Sequence, residues 1–396
     1  MAMTQVDRPG AGKWRSEGRG APALGAVGHL ENGFSALPWP ECQGQAFIEQ
    51  WRELGRTSVS PNPFNEDWFI LSGLRAFDPE GRVRLATLVS GGRLVGLLPI
   101  LAARTYHGRP LPHLTGWQHA NSFCGEPLIR AGFEHDFWTA LLAWADARSG
   151  LSTFLHLGGC PAASPALATL KSVCARTNRA PSIVHREERA VLHHGPSPEA
   201  HLVAAASKKR RKDWARRRRR LEEEGELQFK CRDDAEGLES WIDEFLRLER
   251  AGWKGDEGSA LASDPRTEAM FRASLTGAAG AWRLQRLAFH LDGRPVVMLA
   301  NFLAPPHAFS FKTAYDEDLA RFSPGVLLQL ENLALLDRDD IALTDSCAAP
   351  DHPMIDHIWR DRREIVKVSI PIGGRLRRAA GSILTGIEAR RLEKRP

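Results

Sequence analysis

The segment Arg321-Phe322-Ser323-Pro324-Gly325-Val326 has the composition of a helix start suited to an anion. Proline at the first helical position has no N–H to lose, and a serine before it can cap the end. Gly325, without a Cβ, lets a ligand approach the backbone. Free amide hydrogens and the positive end of a helix dipole together suit a pyrophosphate. Just upstream stands Tyr315-Asp316-Glu317, which contains one of only two tyrosines in the chain. Asp316 can serve as a base or orient an acceptor, and Tyr315 can donate a proton. The plain alternatives are an ordinary capped helix and a polar turn at a strand end.

A third feature is the run Lys208–Arg220, with ten basic residues and one acid in thirteen positions, followed by Glu222, Glu223 and Glu224. If Ser207 caps this helix, cations crowd its N-terminal end and acids its C-terminal end, against the macrodipole. So local a conflict points to an anionic partner, with Lys208, Lys209, Arg211 and Lys212 as the candidate contacts. Nucleotide phosphates, a transfer RNA, an anionic lipid surface or a polyanionic sugar carrier all qualify. A solvated, self-paired helix face is the alternative. Trp214 is the one interleaved aromatic, too few to stack a strand of bases, so nucleic acid is not favoured.

These residues must be held by elements, and the chain shows two similar sets. Arg84–Leu101 is two β-rich runs broken by Gly91-Gly92, and Arg286–Leu303 repeats the form around Asp292-Gly293. Such pairs mark hairpins, because type I′ turns need φ > 0. The two turns lie 201 residues apart, about half the chain, which predicts a duplicated unit. Helical spacing at Glu41–Leu54 and Phe64–Ala76 precedes the first hairpin, and at Leu238–Ala251 and Arg266–Leu275 the second. Phe133–Ala147 (helix), Thr153–Leu157 (strand) and Ala163–Arg176 (helix) follow the first. After the second come strand Ala308–Tyr315, helix Pro324–Leu336, strand Ile341–Asp345, helix His352–Trp359 and strand Glu364–Ile370. The expected organisation is a mobile arm over 1–33, a first domain over 34–190, a second over 191–372 and a basic tail over 373–396.

This element order resembles the GNAT acyltransferase unit, and its pairing resembles the tandem architecture of the Fem-type peptidoglycan ligases. Three motifs carry the likeness: Ser207–Gly225, Leu248-Glu-Arg-Ala-Gly-Trp-Lys-Gly255 and Tyr315–Gly325. With the element order they span about 200–370, and they are most similar to the GNAT family associated with cellulose or exopolysaccharide biosynthesis. The resemblance implies an α/β fold of two GNAT-like units, each a mixed, largely antiparallel sheet with flanking helices. It implies that Arg321–Val326 cradles the diphosphate of coenzyme A, and that acyl-CoA donates an acyl group, acetyl first among the candidates, to an amine or hydroxyl of an amino sugar or polysaccharide precursor. The usual Gln/Arg-x-x-Gly-x-Gly/Ala loop is reduced here to Arg321 and Gly325. Glu249, a catalytic candidate, would then border the acceptor with Trp253 and Lys254, and Glu317 beside them, unless Trp253 merely anchors a helix end and Glu249 is solvated. Asp345, at a strand end, is a further catalytic candidate and His352 a weaker one. Trp117–Ser122 is a candidate cleft wall from the first unit.

The 396 residues carry 53 Lys+Arg against 48 Asp+Glu, with 43% hydrophobic residues. Two cores can be filled from this composition, which excludes a disordered chain or a small disulfide scaffold. The longest apolar runs, such as Leu94–Ala103 with Pro99 inside it, are too short to span a bilayer. Six scattered cysteines form no C-x-x-C and read as buried small hydrophobes. No H-E-x-x-H occurs among the 14 histidines, so no metal is expected. A cytoplasmic enzyme is the expectation. The rivals are a Fem-type aminoacyl-tRNA-dependent transferase and a non-catalytic adaptor on nucleic acid or an anionic membrane, held partly by the basic tail.

Overall fold

The computed structural model describes residues 30–393, so nearly all of the expected mobile arm lies outside the described residues. The described residues form two compact units, one of residues 30–187 with 364–393, the other of Glu188–Arg363. The hairpins, the helices before them and the α/β class follow the expected order.

The first unit runs β1 (Gly33–Pro38), α1 (Gln45–Thr57), α2 (Asp67–Phe77), β2 (Arg84–Ser90), β3 (Arg93–Ala103), β4 (His113–Gly116), β5 (Leu128–Ile129), α3 (Glu134–Arg148), β6 (Phe154–Pro161), α4 (Pro165–Arg176) and the start of β7 (Ser182–His193). Gly91 and Gly92 take φ of 58° and 72°, the left-handed conformations that close the β2–β3 hairpin. One face of the sheet buries Trp51, Leu54 and Leu74 from α1 and α2. The other buries Trp138, Leu141 and Leu170 from α3 and α4. Each such side chain contributes about 1.5–3 kcal/mol by leaving water.

In the second unit, the rest of β7 leads to α5 (Pro198–Ala205), α6 (Lys208–Glu222), β8 (Leu227–Arg232), α7 (Leu238–Ala251), α8 (Trp253–Asp256) and α9 (Pro265–Gly280). Then follow β9 (Leu284–Leu291), β10 (Arg294–Ala304), β11 (His307–Tyr315), α10 (Pro324–Glu331) and β12 (Leu343–Asp345). Strands β8 to β11 are an antiparallel series, whereas β12 joins β11 in parallel and β7 in antiparallel fashion. Asp292 (φ 50°) and Gly293 (φ 79°) make the second hairpin turn. The core gathers Phe289, Leu299, Leu328 and Trp359.

Three expectations are corrected. The last strand, β13 (Asp361–Pro371), pairs with β6, and it and α11 (Arg375–Glu393) belong to the first unit from Glu364 onward rather than closing the second at 372. His352–Trp359 is no helix: the amides of Ile355 and Asp356 both bond to His352 O, and those of Ile358 and Trp359 both bond to Ile355 O. Pro353 has no amide to offer and Asp351 is left-handed at φ 59°, so the segment folds as successive turns anchored by Ile358 and Trp359. Cys231 is exposed on β8, whose outer edge has no strand partner among the described residues; the other five cysteines are buried. No helix among the described residues is long and apolar enough to cross a membrane.

Candidate active site

The second unit owes its opening to a mismatch in strand length. β12 pairs with β11 only through Phe309↔Asp345 and then ends, while β11 continues from Ser310 to Tyr315 with β10 alone as partner. The other edge of that overrun presents backbone groups with no strand against them. A β-bulge sharpens the geometry. Ser310 pairs with Asn301 and Lys312 with Ala300, so Phe311 is an extra residue and the side-chain alternation flips across it. Ser310 therefore faces α10, where Gln329 Nε2 donates to its Oγ at 3.4 Å. Lys312 falls on the α7 side.

At one end of the opening lies the Tyr315–Val326 corner. Ser323 is left-handed (φ 55°, ψ 54°), and its hydroxyl does not cap α10 as the sequence suggests. Its Oγ instead accepts from Arg217 Nη1 at 2.6 Å, and its carbonyl takes the Leu327 amide at 3.1 Å. Pro324 has no amide, so the N–H groups of Gly325 and Val326 are left without a partner among the described residues. The space beside Gly325 is not empty: a Cβ there would collide with Met354 Sδ, so this glycine first makes room for the segment after β12. Tyr315 Cδ1 borders the same spot at 3.7 Å, and the Tyr315 hydroxyl has no hydrogen-bond partner among the described residues. Burial, and then the Glu317 carboxylate, push the phenol upward, which keeps it protonated.

The basic helix reaches this corner. Ser207 Oγ accepts from Arg210 N at 3.3 Å, the expected N-cap, and Trp214 and Leu221 are buried, fixing which face turns outward. Arg216, Arg217 and Arg220 join Arg321, Phe322, Glu223 and Glu224 around a cavity of about 280 Å³ beside the α10 start. Asp213 pairs with both Arg216 and Arg217, and Arg217 Nη1 also reaches Arg321 O at 3.4 Å. Arg321 itself meets Glu224 at 3.0 Å. Lys209 and Lys212 line a second, more open groove with Arg210 and Arg216. The cations nearest the loop thus lie one to two turns beyond Lys208, Lys209, Arg211 and Lys212. A buried Trp214 offers no stacking surface.

On the α7 side of the opening, Glu249 is 5% exposed, where a solvated carboxylate was the plain alternative. Its Oε1 accepts from Lys254 Nζ at 2.7 Å and its Oε2 from Leu261 N at 2.9 Å. Trp253, 42% exposed, is no core anchor; Gly252 breaks the helix before it and leaves the ring in solvent. Glu317 Oε1 accepts from Trp253 N at 2.9 Å. Asp316 caps the following turn through Asp318 N at 3.1 Å and pairs with Arg294 at 3.1 Å.

Two further groups lie within electrostatic reach of Lys254. Lys312 is pushed down to about 8, by burial first and then by the Lys254 ammonium, against the pull of Glu249. His352 is held below its usual range, chiefly by burial, and its Nδ1 is buried with no hydrogen-bond partner. A neutral imidazole with an unclaimed nitrogen is chemically available as a proton acceptor.

Asp345 stands apart from this chemistry. It is fully buried, accepts from Cys347 N at 2.6 Å, and pairs with Arg363 and, at 3.7 Å, with Arg189. Two arginines and an amide explain its place at the strand end. His119 packs inside the first unit against Phe69 and Phe77, and the buried Trp117 packs against His119, as core rather than as an open wall. Sequence reasoning missed Lys312, Arg216, Arg217, Arg220 and Met354. The arginines were visible inside the basic run, but Lys312 depends on a bulge that no residue type announces.

Residues 208–351 match the family model for an acetyltransferase (GNAT) domain, so the second unit carries a GNAT-type acyltransferase domain. Similar solved structures include FemX, 9% identical with a TM-score of 0.52, the match covering 85% of this chain and 98% of that one. The C-terminal domain of an Agrobacterium fabrum protein named as a lysylphosphatidylglycerol synthetase is 12% identical with a TM-score of 0.50, covering 86% and 95%. A conserved protein of unknown function from Bacteroides thetaiotaomicron VPI-5482 is 11% identical with a TM-score of 0.51, covering 82% and 97%. At these identities the likeness is one of fold. No curated protein matches the chain.

Proposed function

We propose that the second unit moves an acyl group, acetyl in the simplest case, from an acyl-CoA thioester to an amine or hydroxyl of an amino sugar or polysaccharide precursor. One observation carries this reading: the unclaimed Gly325 and Val326 amides open beside a cavity rimmed by Arg216, Arg217, Arg220 and Arg321, in which four cations outnumber the carboxylates of Glu223 and Glu224. The amides suit the diphosphate, and the arginines suit the remaining phosphate of coenzyme A.

His352 takes the proton of the attacking amine or hydroxyl, whose lone pair adds to the thioester carbonyl. Backbone amides on the unpaired edge of β11 bind the resulting oxyanion, with the Lys312 ammonium supporting negative charge in the same opening. Collapse re-forms the carbonyl and breaks the C–S bond, and the departing thiolate receives the Tyr315 proton. This assignment replaces Asp316 as base, because Asp316 is engaged by Arg294 and Asp318 N. Trp253 offers a ring face to a sugar, and Glu249 holds Lys254 in place. The cytoplasm, where acyl-CoA is made, is the compartment of this reading.

The test is calorimetric titration with acetyl-CoA, followed by free-thiol release with pooled amino-sugar acceptors. Acetyl-CoA binds the native protein, and Arg216→Glu with Arg220→Glu weakens it by about tenfold or more per lost charge-assisted contact. A native protein blind to acetyl-CoA overturns the proposal. The open groove of Lys209, Arg210 and Lys212 favours a second reading, a transfer RNA as carrier of an aminoacyl donor. Binding of aminoacyl-tRNA that falls steeply between ~50 and ~200 mM salt, with acetyl-CoA ignored, selects it.

A further inference from the structure

In the first unit, α11 is tied down over its first half. Arg377 Nη2 donates to Asp146 O at 3.0 Å, Arg378 Nη1 to Thr177 O at 3.3 Å, and Thr385 Oγ1 lies 3.1 Å from Ser182 Oγ. Gly381 passes so close to Thr153 O that a Cβ would strike it. Beyond Thr385 the helix stands off. There a cavity of about 600 Å³ lies beneath it, bridged by the Tyr106 hydroxyl, which donates to Glu388 Oε1 at 3.0 Å. That volume is in the range of sites for small organic ligands.

Its lining is of two kinds. The floor is apolar and aromatic: the Tyr106 ring stands 5.1 Å from Phe154, with Val184, Leu111 and Leu384 around it. His156, also against Tyr106, is pushed down to about 3 by burial and bonds Ser369 Oγ at 3.0 Å through Nδ1, so it adds no charge. The rim carries Arg109, Lys367 and Arg391, none of which forms a salt bridge among the described residues. The one carboxylate, Glu388, is already engaged by Tyr106 and, at 3.5 Å, by His107.

Three cations outside any salt bridge among the described residues, facing one carboxylate above an aromatic and aliphatic floor, define a ligand by chemistry: an anionic head on an apolar body. We propose that this cavity binds a small amphiphilic anion, a carboxylate, sulfonate or phosphate on an apolar chain or ring. The site lies wholly within the first unit and is independent of acyl transfer in the second. The anion can arrive as a free molecule or as a membrane lipid, and the proposal is for the free molecule.

The test uses the full chain and 1-anilinonaphthalene-8-sulfonate, followed by fluorescence. The expected result is saturable binding, displaced by decanoate below its micellar concentration and not by decyltrimethylammonium. Lys367→Glu with Arg391→Glu, both at exposed positions, weakens the probe by about tenfold or more, and Lys367→Arg retains it. Val184→Trp, which fills the floor, abolishes binding with the charges intact, and melting curves confirm that each variant is folded. Equal affinity in the charge-reversed and native proteins overturns the proposal. So does displacement by the cationic amphiphile, or binding confined to phosphatidylglycerol vesicles with no response to monomeric decanoate.

Discussion

In the first unit, the strand beyond the hairpin, β4, is four residues long and pairs with β6 through Leu114 and Thr115. It runs into a loop where backbone meets backbone: Gly125 N donates to Gly159 O at 3.2 Å, and a Cβ on Gly125 would strike Gly158 O. In the second unit the corresponding strand, β11, is nine residues long, outruns β12 by six, and delivers the chain into α10. Where the first unit closes on His119 between Phe69 and Phe77, the second leaves two bare amides beside a cavity with four arginines and two glutamates in its wall. A shared element order therefore does not carry the chemistry. The overrun, and the helix N-terminus it feeds, make the difference.

The sharpest way to break this comparison is to exchange a histidine in each unit. His352→Gln is expected to lower kcat by about 10²–10⁴-fold with little change in KM for acetyl-CoA, as loss of a proton acceptor does. His119→Gln, in the closed loop, should change the melting temperature and not kcat. The pH profile gives a second readout. His352 acts when neutral and its folded pKa lies below the usual 6.5, so activity falls as pH drops through that lowered value. Lys312 loses its charge as pH rises through about 8, giving an alkaline limb that Lys312→Arg moves upward. Full activity in His352→Gln would place the base elsewhere.

The next contrast concerns carboxylates that look alike in sequence. Asp345→Asn leaves Arg189 and Arg363 buried against a neutral partner, at a cost of about 3–5 kcal/mol in urea unfolding. Asp316→Asn, whose partner Arg294 is mostly exposed, should cost no more than about 1 kcal/mol. A catalytic Asp345 would instead show a collapse of kcat with stability retained.

Much of this was legible before any coordinates. Hairpin turns announce themselves through Gly91-Gly92 and Asp292-Gly293, because few residues tolerate φ > 0, and helices through their apolar spacing. Long-range partnership is not written that way. Nothing in Glu364–Ile370 says that this strand pairs with β6, more than two hundred residues earlier, rather than with its neighbours. The same limit applied to the site. Pro324 and Gly325 marked a helix start, but Ser323 turning its hydroxyl to Arg217 required knowing where α6 lies. Lys312 required the bulge at Phe311.

The smallest expected effect tests the one place where the second unit is partly covered. Met354 fills the space a side chain on Gly325 would need, at the corner proposed to receive the diphosphate. If that segment must shift for acyl-CoA to enter, the apparent affinity is the intrinsic one reduced by the open fraction. Met354→Ala shortens the side chain in the way and should lower KM for acetyl-CoA by about threefold, with kcat unchanged. Gly325→Ala should raise KM in the native background, where the new methyl meets Met354, and do so less in Met354→Ala. That pattern is coupling between two neighbours. If KM instead rises in Met354→Ala, the thioether is a wall that the bound thioester leans on, and the corner is already in its working form.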